Sequence, residues 1–280
     1  QLQKPIFVAF RRFINMTKLL VRAISGFIYA VLFISAILFS KETYILLILI
    51  FGIASLWEFF KLLKFKNLLL YGLLIVLTYL AFTNSLSETA IKILLILCFS
   101  GSIQLFLNLF MKKENYPSNK IQKFDISIRY LLLSVIFLML LPFVNGHYEV
   151  SIILSLIIFI WVNDSFAFFV GKNFGKRKLF ESVSPKKTIE GFIGGMFFTL
   201  LSAFLLSYFC DFLSLINLLV ISFITSFLGT IGDLVESKFK RQAHTKDSGN
   251  IMPGHGGTLD RLDSLLFVAP FVYLYIHFII

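Results

Sequence analysis

Apolar runs of about 17 to 25 residues recur along the whole chain, and each, wound as a helix, is long enough to cross about 30 Å of hydrocarbon. Their approximate spans are 23–40, 44–60, 67–84, 90–111, 128–146, 149–171, 189–209, 214–235 and 262–280, about nine in all. The residues are 58% hydrophobic and only 15% charged, outside the range of ordinary soluble domains. The runs are continuously rich in Leu, Ile and Phe and lack the alternation of barrel strands. The expected fold class is therefore an all-α polytopic membrane protein with about nine transmembrane helices.

Charge sets the expected orientation. With sides alternating from the N-terminus, all of the 26 basic residues except Lys41 and Lys92 fall on one side. Lys and Arg favour cytoplasmic loops, so the N-terminus is expected in the cytoplasm and the C-terminus on the opposite side. Removing one helix would scramble this partition. The formal net charge of +11 then faces anionic headgroups and cytosolic anions, and no nucleic-acid partner is expected. Residues 1–22 read as the basic flank of a retained signal anchor, and numbering from Gln1 suggests a missing initiating segment. Cys98 and Cys210 have no metal-type spacing and read as small core residues.

Polar investment rises along the chain. Residues 1–148 read as scaffold helices, and 149–280 as a catalytic region with cytosolic loops at 172–188 and 236–261. Glu58, three residues before Lys61, is read as half of an interfacial ion pair. Asp164 lies inside an apolar run, where an ionisable side chain is functional by default. Lys172, Lys186 and Lys187 give the first loop a cationic rim, and Thr188 is the expected N-cap of the following helix. Phosphate could bind where those lysines and the helix-start N–H groups converge.

The second loop is denser still. Asp233 is followed at offsets of three and four by Glu236 and Ser237, which puts all three on one helix face. The stretch from Ser237 to Asp263 holds Lys240, Arg241, Lys246, Asp247, His255, Gly256, Gly257, Asp260 and Arg261. Carboxylates from two helix ends, together with phosphate oxygens and water, suit Mg²⁺. The glycines allow close backbone approach to a ligand. Such a mixture fits a metal-bound polyphosphate.

The run Ser237-x-Phe239-Lys240-Arg241-x4-Lys246-Asp247-x-Gly249-x3-Pro253-x-His255-Gly256-Gly257-x2-Asp260-Arg261-x-Asp263 closely resembles the C-terminal signature of the phosphatidate cytidylyltransferases, or CDP-diacylglycerol synthases. Upstream, Asp164-Ser165-x-Ala167-Phe168, Gly171-Lys172-x-Phe174-Gly175-Lys176, Ser184-Pro185-Lys186-Lys187-Thr188-x-Glu190-Gly191 and Gly232-Asp233-Leu234-x-Glu236-Ser237 are similar to the same family. Met252 and Thr258 depart mildly from the signature, at positions that bear on loop packing. The similarity is strong over about 160–264 and architectural before it.

The resemblance implies an integral membrane enzyme, sited in a bacterial cytoplasmic (inner) membrane with its active site facing the cytosol. It would transfer CMP from CTP to phosphatidic acid, giving CDP-diacylglycerol and pyrophosphate in phospholipid biosynthesis. It implies Mg²⁺, alone or with a second cation, held by Asp233, Asp260 and Asp263. Lys246 and Asp247 join these three as expected catalytic residues. Asp164, Lys172, Lys186, Lys187, Ser237, Lys240, Arg241, His255, Gly256, Gly257 and Arg261 are the expected substrate- and phosphate-binding residues. CTP, phosphatidic acid and membrane lipids are the expected partners, and a homodimer is an option. Two alternatives stay open: a cytidylyltransferase acting on another membrane lipid phosphate, and a non-catalytic anionic-lipid transporter.

Overall fold

The computed structural model describes residues 20, 23–111, 116–210, 212–251 and 256–280. The N-terminal basic cluster, Lys112, Lys113 and His255 lie outside the described residues. Helix α1 spans Ala23–Phe39. It meets α2, Lys41–Leu63, at Ser40, whose hydroxyl accepts from Thr43 N in a reciprocal capping box. Then come α3, Leu69–Phe82, and α4, Glu88–Phe110. A continuous helical stretch follows: α5, Lys120–Ile126, a π-helical turn, Ser127–Leu132, and α6, Leu133–Leu140. The remaining helices are α7, Val150–Phe174, α8, Ile189–Leu206, α9, Leu215–Gln242, and α10, Leu259–Phe278.

The chain is mostly helical, and five of its described helices, α2, α4, α7, α8 and α9, are long and apolar enough to cross a membrane. It is a membrane protein. Two short hairpins break the all-helical expectation. The first pairs β1, Phe143–Val144, with β2, His147–Tyr148, through Asn145 and Gly146, both at positive φ, as a two-residue hairpin turn requires. It shortens the run expected at 128–146, and the helix instead starts at Lys120, ahead of that run. The second hairpin pairs β3, Lys178–Phe180, with β4, Ser184–Thr188, and gives the cationic loop a fixed shape.

Helix α8 shows how the chain handles lipid and protein at once. Ile193, Phe197, Leu201 and Phe204 are exposed on it, whereas Gly191, Gly195, Thr199 and Ala203 are buried. Small residues at a spacing of four let helix backbones approach closely. A Cβ on Gly191 would stand 2.6 Å from Ala167 O and 3.0 Å from Gly171 Cα, both on α7. Gly191→Ala should therefore force α7 and α8 apart and cost about 1–3 kcal/mol, read as a lower unfolding midpoint in detergent.

A buried aromatic cluster fastens α2 to α9. Phe59 meets Phe239 edge-on at 5.1 Å between ring centroids, and Tyr130 from the π-helical turn closes on Phe239 at 6.2 Å. Each aromatic contact adds about 0.5–1.5 kcal/mol beyond area burial. The neighbours of the first two, Glu58 and Lys240, are thereby held at the foot of the glycine loop.

Candidate active site

The wall built from α7, the β3–β4 hairpin and α8 is locally well determined. Thr188 caps α8 by accepting from Gly191 N at 3.1 Å, as its position before the apolar run predicts. Glu190, in the first turn of α8, accepts from Lys176 N at 3.0 Å and from Arg177 N at 3.2 Å. These bonds hold both ends of the hairpin and aim Lys187 inward, where its Nζ pairs with Asp233 Oδ2 at 2.5 Å. Arg241 braces the hairpin tip by donating to Val183 O at 3.2 Å. Asn163, buried on α7, accepts from Ser226 Oγ on α9 at 2.7 Å, which fixes the turn that carries Asp164.

Two cavities open here. One, of about 460 Å³, is lined by Asp164, Lys172, Lys178, Lys186, Lys187 and Asp233. The other, of about 350 Å³, is lined by Tyr29, Trp161, Asp164, Asp260, Arg261 and Asp263. Asp164 belongs to both. The first falls within the size range of small-molecule sites, about 300–1,000 Å³.

Between the two lies a carboxylate cluster. Asp233, Glu236 and Asp263 each place a ligand oxygen within 4.8 Å of the others'. Ser237 Oγ donates to Asp233 Oδ1 at 3.2 Å, and Ser264 N donates to Asp263 Oδ1 at 2.6 Å. Glu236 is buried and pairs through Oε2 with Lys240, but its Oε1 is buried with no hydrogen-bond partner. An orphaned buried carboxylate oxygen beside two further carboxylates is what a hard cation would satisfy. The donor set thus fits a divalent cation.

Asp260, expected as a metal ligand, stands outside that cluster. Its Oδ1 accepts from Lys240 Nζ at 2.7 Å, and its Oδ2 accepts from Gly257 N at 2.8 Å and from Ser248 N and Oγ at 2.9 Å. Gly256 has φ +87, and a Cβ there would lie 2.5 Å from Asp260 Oδ2, so glycine is required for both reasons. The described part of the glycine turn is therefore wrapped around an aspartate. Lys172 and Lys186 are exposed on the first cavity, and Lys246 is exposed on the loop. Asp247 lines a further cavity of about 570 Å³ with Trp57, Lys61 and Lys64, and its Cβ backs onto Gly256 beside Asp260.

The sequence profile of the Cytidylyltransferase family matches residues 20–279. A phosphatidate cytidylyltransferase of Bacillus subtilis (strain 168) is 34% identical over 264 residues, 90% of this chain and 95% of that protein. One from Staphylococcus aureus (strain COL) is 50% identical over 119 residues, 42% of this chain and 46% of that protein. Another, from Staphylococcus haemolyticus (strain JCSC1435), is 49% identical over 119 residues, with the same shares. The chain belongs to the cytidylyltransferase family.

Two acids of this cytidylyltransferase escape the residue set expected from sequence. Glu236 was visible on the Asp233 face, and only its burial beside Asp263 marks it as a cluster member. Glu58 is fully buried and accepts from Thr258 N at 3.0 Å, Leu259 N at 2.8 Å and Ser248 Oγ at 2.9 Å. The expected pairing with Lys61 is replaced by these bonds, and Lys61 Nζ instead stands 3.3 Å over the Trp57 ring. No local spacing encodes partners that far along the chain.

Proposed function

We propose that this cytidylyltransferase transfers CMP from CTP to phosphatidic acid, giving CDP-diacylglycerol and pyrophosphate. The observation that carries the reading is the carboxylate cluster flanked by two cavities, one of them lined by four lysines, in a chain similar along nearly all its length to a phosphatidate cytidylyltransferase. Lys172, Lys178, Lys186 and Lys187 suit the triphosphate, and Arg261 in the second cavity suits the lipid phosphate, whose acyl chains can stay in the bilayer. The lipid phosphate oxygen forms a bond to the α-phosphorus of CTP as the bond to pyrophosphate breaks. A phosphate monoester is already a competent nucleophile, so the protein's task is alignment and charge compensation.

Asp233, Glu236 and Asp263 would hold Mg²⁺, while Asp260 shapes the loop beside them. Bound there, Mg²⁺ supplies charge neutralisation for the triphosphate and the leaving pyrophosphate. Lys187, paired with Asp233, is placed to exchange that contact for a phosphate oxygen. The reading includes about nine spans, N-terminus inside and C-terminus outside, with the lysine cavity facing the cytosol. The one-sided distribution of Lys and Arg supports that orientation.

The test is turnover by the purified chain in detergent. CTP, phosphatidic acid and Mg²⁺ together should yield CDP-diacylglycerol and pyrophosphate in equal amounts, and omission of Mg²⁺ should abolish both. CTP binding without pyrophosphate release would sink the reading. Preference for a different lipid phosphate in a competition assay would change its acceptor.

A further inference from the structure

Helix α10 begins without a cap of its own. Thr258 precedes it in helical conformation (φ −67, ψ −39) and makes no side-chain capping bond. Helix starts leave backbone N–H groups unsatisfied, and here the acceptor comes from α2. Glu58 takes the N–H groups of Thr258 and Leu259, one on each carboxylate oxygen. We propose that Glu58 is a positioning residue for the transfer reaction, fixing the loop before α10 and, through Ser248 and Asp260, the carboxylate cluster. This rests on the transferase reading above.

The route is continuous. Ser248 Oγ lies 2.9 Å from Glu58 Oε2 and 2.9 Å from Asp260 Oδ2. A hydroxyl carries one proton and can donate to only one of them at a time, while Ser248 N donates to Asp260 Oδ2 at 2.9 Å in either case. Asp260 then holds Lys240 at 2.7 Å, and Lys240 pairs with Glu236 of the cluster. Asp263 follows Asp260 by one turn on the same helix.

The loop is also moulded to Glu58. A Cβ on Gly249 would stand 2.8 Å from Glu58 Cδ, and one on Gly257 would run into both Glu58 carboxylate oxygens. Two glycines of the loop thus make room for this side chain, and Phe59 anchors it from below through Phe239. The start of α10 is also closed to a substrate phosphate, because a carboxylate of the protein already occupies it.

Glu58→Gln and Ser248→Ala, purified in detergent, separate positioning from simple support. The readouts are unfolding midpoint, kcat, KM for CTP and for phosphatidic acid, Mn²⁺ affinity by electron paramagnetic resonance without substrate, and hydrogen exchange of residues 246–260. Glu58→Gln should lower kcat per folded molecule and weaken Mn²⁺ binding, each by about tenfold or more, and speed exchange at Thr258 and Leu259. KM for phosphatidic acid should hold. A lowered midpoint with wild-type kcat and Mn²⁺ affinity in the folded fraction overturns the proposal.

If Glu58→Gln does not fold, Ser248→Ala decides, since it keeps both amide bonds to Glu58 and the Ser248 N–H bond to Asp260 and removes only the hydroxyl that bridges the two carboxylates. Wild-type kcat and Mn²⁺ affinity in Ser248→Ala would then overturn it. Failure of the wild-type chain to turn over CTP would instead strike the transferase reading, while Mn²⁺ affinity and exchange still judge Glu58.

Discussion

Asp233→Asn is expected to cut CDP-diacylglycerol formation about a thousandfold while the protein stays folded. The substitution is isosteric, and the amide oxygen can keep the bond from Ser237 Oγ now made at 3.2 Å. What goes is one carboxylate of the three that converge within 4.8 Å, together with the ion pair to Lys187. Easing the crowding of carboxylates offsets the loss of the partly exposed Lys187 pair, so the unfolding midpoint should change little. Purified variant and wild type would be compared for pyrophosphate release at saturating CTP and for Mn²⁺ affinity. Near-wild-type values for both would remove Asp233 from the metal and catalytic assignments.

Lys240→Met is expected to act on the fold itself. Lys240 is only 8% exposed and is the shared partner of Glu236 and Asp260. Methionine has a similar length and fills the space, but it leaves two acids without their cation. Breaking a buried ion pair from one side costs about 3–5 kcal/mol, enough to unfold a marginally stable protein. The expected result is poor accumulation or a sharply lowered unfolding midpoint in detergent. Lys240→Met combined with Glu236→Gln should recover part of that loss, because the second change removes one uncompensated charge. An additive double variant would show that Lys240 and Glu236 are not coupled.

The helices and much of one wall of the site were legible in the sequence, since both depend on local patterns. Apolar runs mark spans through length, Thr188 marks a helix start through its position, and the offset of Asp233, Glu236 and Ser237 marks a shared face. Long-range partners were not legible. Asp260 reads as a metal ligand by its spacing from Asp263, yet the donors that claim it, Ser248, Gly257 and Lys240, converge only after the loop has closed. Glu58 reads as a partner of Lys61 at helical spacing, and tertiary contacts override that. The β3–β4 hairpin was concealed by its composition, because lysine, proline and serine suit a loop as well as a short exposed ladder.

The bonds of Glu58 have a consequence for how the protein is made. Its acceptors are synthesised early, and the donors that satisfy them lie 190 to 201 residues further along the chain. As the nascent chain leaves the ribosome, α2 therefore enters the membrane carrying an acid whose permanent partners do not yet exist. Until the last helix is delivered, that acid must stay hydrated at the bilayer surface or borrow a temporary partner. Completion of the glycine loop and retirement of this exposed acid are then a single event of biogenesis, so a chain arrested before Ser248 should be seen by the cell's quality control as unfinished.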